Sequence, residues 1–240
     1  MRKLLLAVFV VAFALPAFSQ TEKQLKKKEI LSRAGDHLML QFSSDHWMGT
    51  PDSVSSHIKG FSRGLNVYAM INKPFNADPR FSVAFGLGVG NSNIFFKKMN
   101  VDIASTRSTL PFTAVDSADH FKKFKVSTTF LEVPIEVRFT SNPSTPNKAI
   151  KVALGMKVGT MLNAHTKGKN LQNASGTTIN SYIEKNTTKR YFNTTRLAAT
   201  ARIGYGNFTL FGAYNITSMF KDAVAADVKL LQVGITFSGL

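Results

Sequence analysis

The stretch FLEVPIEVRF, Phe130–Phe139, alternates between apolar and polar residues from end to end. Its apolar set consists of Leu131, Val133, Ile135, Val137 and Phe139. Its other set consists of Glu132, Pro134, Glu136 and Arg138. A period of two is typical of a β-strand with two unlike faces. Because one face is fully apolar and the other carries charge, the nature of the protein depends on which face points inward.

Seven further segments show the same alternation, which predicts an all-β fold. The connections between segments are long and short in turn, and the short ones contain the turn-forming residues Pro, Asn and Gly. This pattern is typical of outer-membrane barrels, with long external loops and short periplasmic turns. We therefore predict an eight-stranded, antiparallel, up-and-down transmembrane β-barrel over residues 36–240. Its strands are predicted at residues 36–47, 62–71, 81–96, 126–140, 149–163, 196–206, 207–217 and 229–239.

Small residues on the second face indicate its orientation. Between Phe81 and Gly90 the apolar residues alternate with Ser, Ala and Gly, and between Ile150 and Gly159 they alternate with Lys, Ala and Gly. Glycine weakens an exposed strand and contributes no packing there. Inside a narrow eight-stranded barrel, small residues fit because the lumen has room only for its own side chains. The apolar face is therefore predicted to contact lipid, and the other face to line the lumen.

Charged side chains in a closed lumen must be paired, so the sequence predicts a structural ion network. If the short connection at residues 141–148 is centred between its strands, residues whose numbers sum to about 289 face each other. The predicted contacts are Glu132 with Lys157, Arg138 with Lys151, and Glu136 diagonally with Lys151. Arg202, on the sixth predicted strand, adds one more cation to this interior. The complete predicted network is Glu132, Glu136, Arg138, Lys151, Lys157 and Arg202.

The N-terminus and the composition restrict location and partners. Residues 1–19 combine a basic start, an apolar run and small residues, which predicts a secretory signal peptide. Residues 20–35 form a polar and basic lead-in. The absence of cysteine excludes disulfides and thiolate metal sites. A net charge of +16 raises nucleic acid as a partner, but the lysines are dispersed along the predicted loops, so we expect none.

No group of residues predicts catalysis. The five histidines are scattered, and none has the spacing of a metal-binding pair. His46 lies near Ser43 and Ser44, but no G-x-S-x-G motif accompanies it. We expect no catalytic, cofactor-binding or metal-binding residues and no enzyme activity. The lysines of the predicted external loops favour contact with outer-membrane lipid and lipopolysaccharide, with simple solubility as the other explanation.

The order of these features resembles a known family. LEVPIEVRF is followed by VALGMKVGTMLNA, which begins at Val152, then by RIGYGNFTLFGAYNITSMF from Arg202 and LLQVGITFSG from Leu230. The chain resembles the PorT-type outer-membrane β-barrel proteins of Bacteroidetes. That resemblance implies an eight-stranded barrel in the outer membrane, and one member of the type is tied to protein secretion. We expect a monomeric, non-enzymatic protein that is structural or accessory to export or adhesion, with secretion-machinery or other envelope proteins as partners.

Two alternatives remain open from the sequence. In a soluble periplasmic, lipocalin-like barrel, the apolar faces would line a cavity for an apolar ligand. In a lipid-modifying outer-membrane enzyme, His46 and its neighbouring serines would act on lipid. The orientation of the strands distinguishes the first alternative from a membrane barrel.

Overall fold

The computed structural model describes residues 38–239, so the predicted signal peptide and the lead-in lie outside the described residues. None of the described helices is long and apolar enough to cross a bilayer. The elements are β1 (Leu38–Met48), α1 (Asp52–Ser55), β2 (Arg63–Pro74), β3 (Phe81–Phe96), β4 (Met99–Val101), β5 (Phe112–Ala114), β6 (His120–Thr140), a 3-10 helix (Pro146–Lys148), β7 (Ile150–Gln172), β8 (Thr178–Thr187), β9 (Thr195–Tyr205), β10 (Phe208–Asn215) and β11 (Lys229–Ser238).

Eight of these strands close into an antiparallel barrel, as the sequence predicts. Strands β1, β2, β3, β6, β7, β9, β10 and β11 each pair with their neighbours in that order, and β11 pairs with β1. The predicted alternation of long and short connections is confirmed. The hairpin β4–β5 lies in the long connection between β3 and β6, and β8 pairs with the part of β7 that extends beyond β9.

The apolar faces point outward. Val133 is 43% exposed and Leu154 is 63% exposed. Glu132, which is next to Val133 in β6, is fully buried. The same arrangement holds around the wall, where Ile203 and Ile235 are exposed and the alternate residues are covered. A soluble barrel needs the opposite orientation, because exposed apolar residues over the whole wall are stable only in lipid. The lipocalin-like alternative is therefore wrong.

Strands β6 and β7 are longer than predicted. The prediction placed them at residues 126–140 and 149–163, whereas they run to His120 and Gln172 at the end of the long connections. Residues 164–195, predicted to be a loop, contain part of β7 and all of β8. Beyond the apolar wall, lysine, asparagine and threonine replace the outward apolar residues, so the alternation that identifies a strand is lost there although the pairing continues.

The register between β6 and β7 differs by two residues from the prediction. Val133 lies opposite Val158, and Arg138 lies opposite Ala153, so facing residues sum to 291. Ala149, which the prediction assigns to the strand, belongs to the turn after the 3-10 helix Pro146–Lys148, so β7 starts at Ile150. A shift of two residues preserves which face is inside, because the side-chain period is two. The predicted orientation is confirmed, but residues predicted to lie directly opposite each other, such as Glu132 and Lys157, are diagonal neighbours instead.

Substitution of Leu154 by Arg tests the orientation of the wall. Because Leu154 lies in the middle of the outward apolar face of β7, the arginine is expected to lower the free energy of unfolding by about 2–4 kcal/mol. The measurement is urea unfolding in lipid vesicles, followed by the fluorescence of the single tryptophan, Trp47, which is buried. Ser181→Arg on exposed β8 is the matched control and should change little. Equal losses in both variants would contradict a lipid-facing wall.

Candidate functional site

Glu132 is the centre of the lumen, and three groups from three other strands contact its carboxylate. Arg196 on β9 donates from Nη1 to Oε1 at 2.7 Å, and Lys157 Nζ lies 3.3 Å from Oε2. The hydroxyl of Tyr68 on β2 also donates to Oε2. All four side chains are almost fully buried. Glu132 therefore links strands on several sides of the barrel across its interior.

A chain of hydrogen bonds continues from Lys157 to the wall at β1. Lys157 Nζ donates to Gln232 Oε1 at 3.1 Å, and Gln232 Nε2 lies 3.2 Å from Asp45 Oδ1. Ser43 in turn donates to Asp45. With Glu132, Gln232 and the Tyr68 hydroxyl at 3.5 Å, the ammonium group has three oxygen neighbours for its three protons. The buried cation is thus satisfied within the lumen.

Glu136 forms a second cluster nearer the short turns. Arg202 on β9 donates to both carboxylate oxygens, from Nη2 to Oε2 at 2.6 Å and from Nε to Oε1 at 3.2 Å. Arg138 Nε donates to Oε2 at 2.9 Å. Two-point contact between a guanidinium and a carboxylate fixes orientation as well as charge. Each of the two buried carboxylates therefore has at least two cationic partners, which compensate its charge in the lumen.

Glycines on the lumen wall provide the space that these side chains occupy. A Cβ atom at Gly90 would lie 2.6 Å from Glu132 Oε2, and one at Gly159 would lie 2.9 Å from Glu132 Cγ. Gly159 is directly opposite Glu132 on β7. The glycines that the sequence analysis assigned to the lumen are therefore the places where the buried carboxylate fits. A larger residue at either position would displace it.

The structure brings together most of the predicted network and adds members to it. Glu132 meets Lys157, and Glu136 meets Arg138 and Arg202. Lys151 is different, because it lies opposite Thr140 rather than Arg138, and Glu136 lies opposite Gly155 rather than diagonal to Lys151. The prediction that Arg138 lies directly opposite Lys151 and that Glu136 lies diagonal to it is therefore wrong, because the register is shifted by two residues.

Arg196, Tyr68, Gln232 and Asp45 are the members that the sequence analysis missed. Arg196 occupies the same face of β9 as Arg202, six residues apart, which is an even spacing. That parity identifies Arg196 as a lumen residue as soon as Arg202 is assigned there. Tyr68 and Gln232 carry no charge, and nothing in their local sequence distinguishes them from other polar residues on alternating strands.

An apolar cluster closes the outer half of the lumen. Trp47 packs edge-on against Phe96 and Phe220, with ring centroids 5.6 and 5.5 Å away. The barrel strands and the long connections both contribute to the rest of the cluster. From the strands come Ile94, Phe124, Val126, Phe130, Met161, Ala164 and Leu230. From the connections come Val54, Met99, Val101, Ile103, Leu110, Tyr191, Phe192, Met219 and Val228. Trp47, Phe96 and Phe220 lie near strand ends, where an interfacial position is common, but all three are buried inside the barrel.

Arg196 joins the two halves. Its guanidinium carbon lies 4.2 Å from the centroid of the Phe130 ring, while its Nη1 contacts Glu132. The face of an aromatic ring attracts a cation, and the attraction is stronger away from water. Side chains are consequently in continuous contact from the ion network, through Arg196 and the ring of Phe130, to the apolar cluster.

Catalytic geometry is incomplete in the described part of the chain. Ser44 Oγ lies 3.0 Å from His46 Nε2 on the outward side of β1, but no described contact gives His46 a carboxylate partner. His57 Nε2 lies 3.2 Å from Asp116 Oδ2 and ties two external connections together. Among residues 38–239, no group of His, Asp and Glu side chains is arranged to hold a metal ion.

A double-mutant cycle on Glu136 and Arg202 tests whether the buried pair stabilises the barrel. Arg202→Met leaves a buried carboxylate with less compensation and is expected to cost about 3–5 kcal/mol of unfolding free energy. Glu136→Gln together with Arg202→Met should cost less than the sum of the single changes by about 1–3 kcal/mol. Urea unfolding in lipid vesicles measures all three variants, with Lys148→Met on the exposed turn as the control. Strict additivity would show that the two groups act independently.

Comparison with known proteins gives a protein family and similar solved structures. The family model described as outer membrane protein beta-barrel domain matches residues 18–221. The crystal structure of Ail, the attachment invasion locus protein of Yersinia pestis, is similar at 14% identity with a TM-score of 0.33, over 84% of this chain and 95% of that chain. Ail in complex with the heparin analogue sucrose octasulfate is similar at 15% identity with a TM-score of 0.32, over 84% and 96%. Curated proteins give no match. Since the family model spans most of the sequence, the chain belongs to the outer membrane protein beta-barrel domain family, and it is a protein of the outer membrane.

Proposed function

We propose that the protein is a non-conducting, non-enzymatic barrel that holds a folded external structure at the cell surface for envelope partners. The observation that carries this proposal is the filled lumen. Glu132 and Glu136 with their cations occupy one part, and the cluster around Trp47 occupies the other. An eight-stranded barrel has room only for its own side chains. Transport through the barrel is therefore the function that the geometry supports least.

The external connections support the same proposal because they are tied to one another. Tyr191 donates its hydroxyl hydrogen towards the carbonyls of Ser105 and Arg107, at 2.6 and 2.8 Å. Arg190 Nη2 donates to the carbonyl of Thr106 at 2.9 Å. The connection before β9 is thereby fixed to the one between β3 and β6. Loops that hold each other in place present a defined shape, which reduces the entropy lost when a partner binds.

Protein export is the role that we propose first, with adhesion as the second. The resemblance of Leu131–Phe139 to the PorT type supports this finer assignment, since one member of that type is tied to secretion. The proposal makes the barrel an accessory that is held in the membrane by its wall and that works through its external surface. We also propose that the barrel acts as a monomer, because its eight strands close without a partner chain.

Planar bilayers test the absence of conduction. The purified, folded protein is expected to give no stable conductance steps, because both halves of the lumen are filled. Folding is checked in the same sample by the change in gel mobility between unheated and boiled protein. Stable steps from a sample that is fully folded by this criterion would contradict the closed-barrel proposal.

Truncation of the β7–β8 hairpin tests the role of the external surface. Residues 170–182 are replaced by a Gly-Ser-Gly linker, which joins the directly paired Lys169 and Ile183 and keeps the part of β7 that pairs with β9. The variant should still insert and resist unheated detergent, but cells that depend on it should export less protein to the medium or attach less to surfaces. Asn142→Ala with Ser144→Ala in a short turn is the control on the other side of the membrane. Full export and attachment with the truncated hairpin would remove this surface from the proposal.

A further inference from the structure

The outward face of β6 and β7 changes from apolar to polar to basic in successive rows. Val133 and Val158 belong to the exposed apolar wall. Further towards the long connections, Thr129 lies opposite Asn163, and Asn91 Nδ2 donates to Thr129 Oγ1 at 2.9 Å. The second of these rows is four residues, or about 13 Å, beyond the first along β6. The sequence of hydrocarbon, amide and hydroxyl groups follows the polarity of a lipid leaflet from its core to its headgroups.

A row of three lysines lies on the same face, four residues beyond Thr129 and past the pair of Ser127 and His165. Lys125 on β6 lies directly opposite Lys167 on β7, which lies directly opposite Lys185 on β8. The following row pairs Lys123 with Lys169. Directly opposed residues on neighbouring strands are within about 5.5 Å at their Cβ atoms, and like charges there repel. The fold therefore concentrates cations at a cost to its own stability.

Arginine and aromatic side chains extend this basic row towards β2. The guanidinium carbon of Arg63 lies 5.3 Å from the centroid of Phe95, and Lys125 Nζ lies 5.9 Å from the same ring. Phe95 is opposite Lys125 on β3. Lys125 Nζ also donates to Asn93 Oδ1 at 2.6 Å, which holds the side chain on this face. An aromatic ring flanked by two cations is a common arrangement at a membrane interface.

The described residues of these rows include no carboxylate that would neutralise the lysines. Glu184 is the nearest acidic residue in the sequence of β8, but it lies opposite Gly168 and so on the other face. Desolvation, and then the charges of Lys167, Arg63 and Lys185, lower the pKa of Lys125. Desolvation and the charges of the neighbouring lysines also lower the pKa of His165. An anion from outside the chain would relieve this repulsion.

We propose that Lys125, Lys167 and Lys185, with Arg63, form a binding site for the phosphate groups of an anionic lipid of the outer leaflet. The site faces sideways from the barrel, where a lipid headgroup lies, rather than upward into the medium. Lysine ammonium groups bind phosphate as point charges, and their flexible stems let them reach headgroups at different depths. The proposal rests on the proposed function only in placing the long connections at the cell surface.

Nanodiscs test this site with the full folded protein. The protein is placed in phosphatidylcholine nanodiscs with and without added diphosphorylated lipid A, and its thermal unfolding is followed by gel mobility. Lipid A is expected to raise the unfolding midpoint by about 5 °C, since a ligand that binds only the folded state stabilises it. Lys125→Gln with Lys167→Gln should lose at least half of that rise. Without lipid A, the same variant should be as stable as the unsubstituted protein or more so, because the repulsion is reduced.

The control has the same change in charge but leaves the row intact. Lys122→Gln with Lys221→Gln alters the opposite side of β6 and a separate connection, and it should keep the full rise. An equal loss in the control, an equal rise with dephosphorylated lipid A, or an equal rise with inorganic phosphate would each overturn the lipid site. A loss of basal stability in the lysine variant would show a structural role instead. Bilayer conductance and export do not depend on these unfolding midpoints. A failure of the lipid-site proposal is therefore distinct from a failure of the proposed function.

Discussion

Pairing of charge inside a closed wall is the constraint on which this structure depends. The outward apolar faces require lipid, which places every second residue of the wall in an interior without bulk water. A carboxylate such as Glu132 is stable there only if cations and hydrogen-bond donors surround it. Arg196, Lys157 and Tyr68 meet that requirement from three different strands. The ion network thus fixes how the far sides of the barrel face each other, which hydrogen bonds between neighbouring strands alone do not fix.

The two halves of the lumen are filled by side chains of different chemistry. Near the short turns, glycines leave space for long charged side chains, as at Gly159 beside Glu132. Near the surface, the barrel interior continues into an apolar core made with the long connections, and Phe220 packs against both Trp47 and Phe192. That core explains why the external connections are folded rather than loose, because they bury part of their own apolar surface in the barrel mouth. Membrane anchoring and external shape are consequently parts of one packed unit.

Periodicity made the fold and its orientation predictable, but contacts depended on details that periodicity does not contain. Alternation in FLEVPIEVRF assigns Glu132 and Glu136 to the lumen, and any register shift of two residues preserves that assignment. The direct partner of Arg138 was not predictable, because it depends on whether Ala149 belongs to the strand or to the turn. The even spacing between Arg196 and Arg202 would have identified Arg196 as a lumen residue. The inward position of Trp47 had no sequence signal, since aromatic residues near strand ends fit an interface and a core equally well.

The alignment of lysines in the basic row lowers the stability of the fold, and the number of charges alone does not explain it. Solvated lysines on loops cost little, but Lys125, Lys167 and Lys185 are aligned across three paired strands, and Lys125 and Lys167 are half-buried. A Thr or Gln at these positions would pair as well in the ladder and would avoid the repulsion. Solubility does not require the alignment either, because dispersed lysines provide the same net charge. An external anion at this height is the explanation that accounts for both the alignment and its place beyond the apolar wall and the polar rows that follow it.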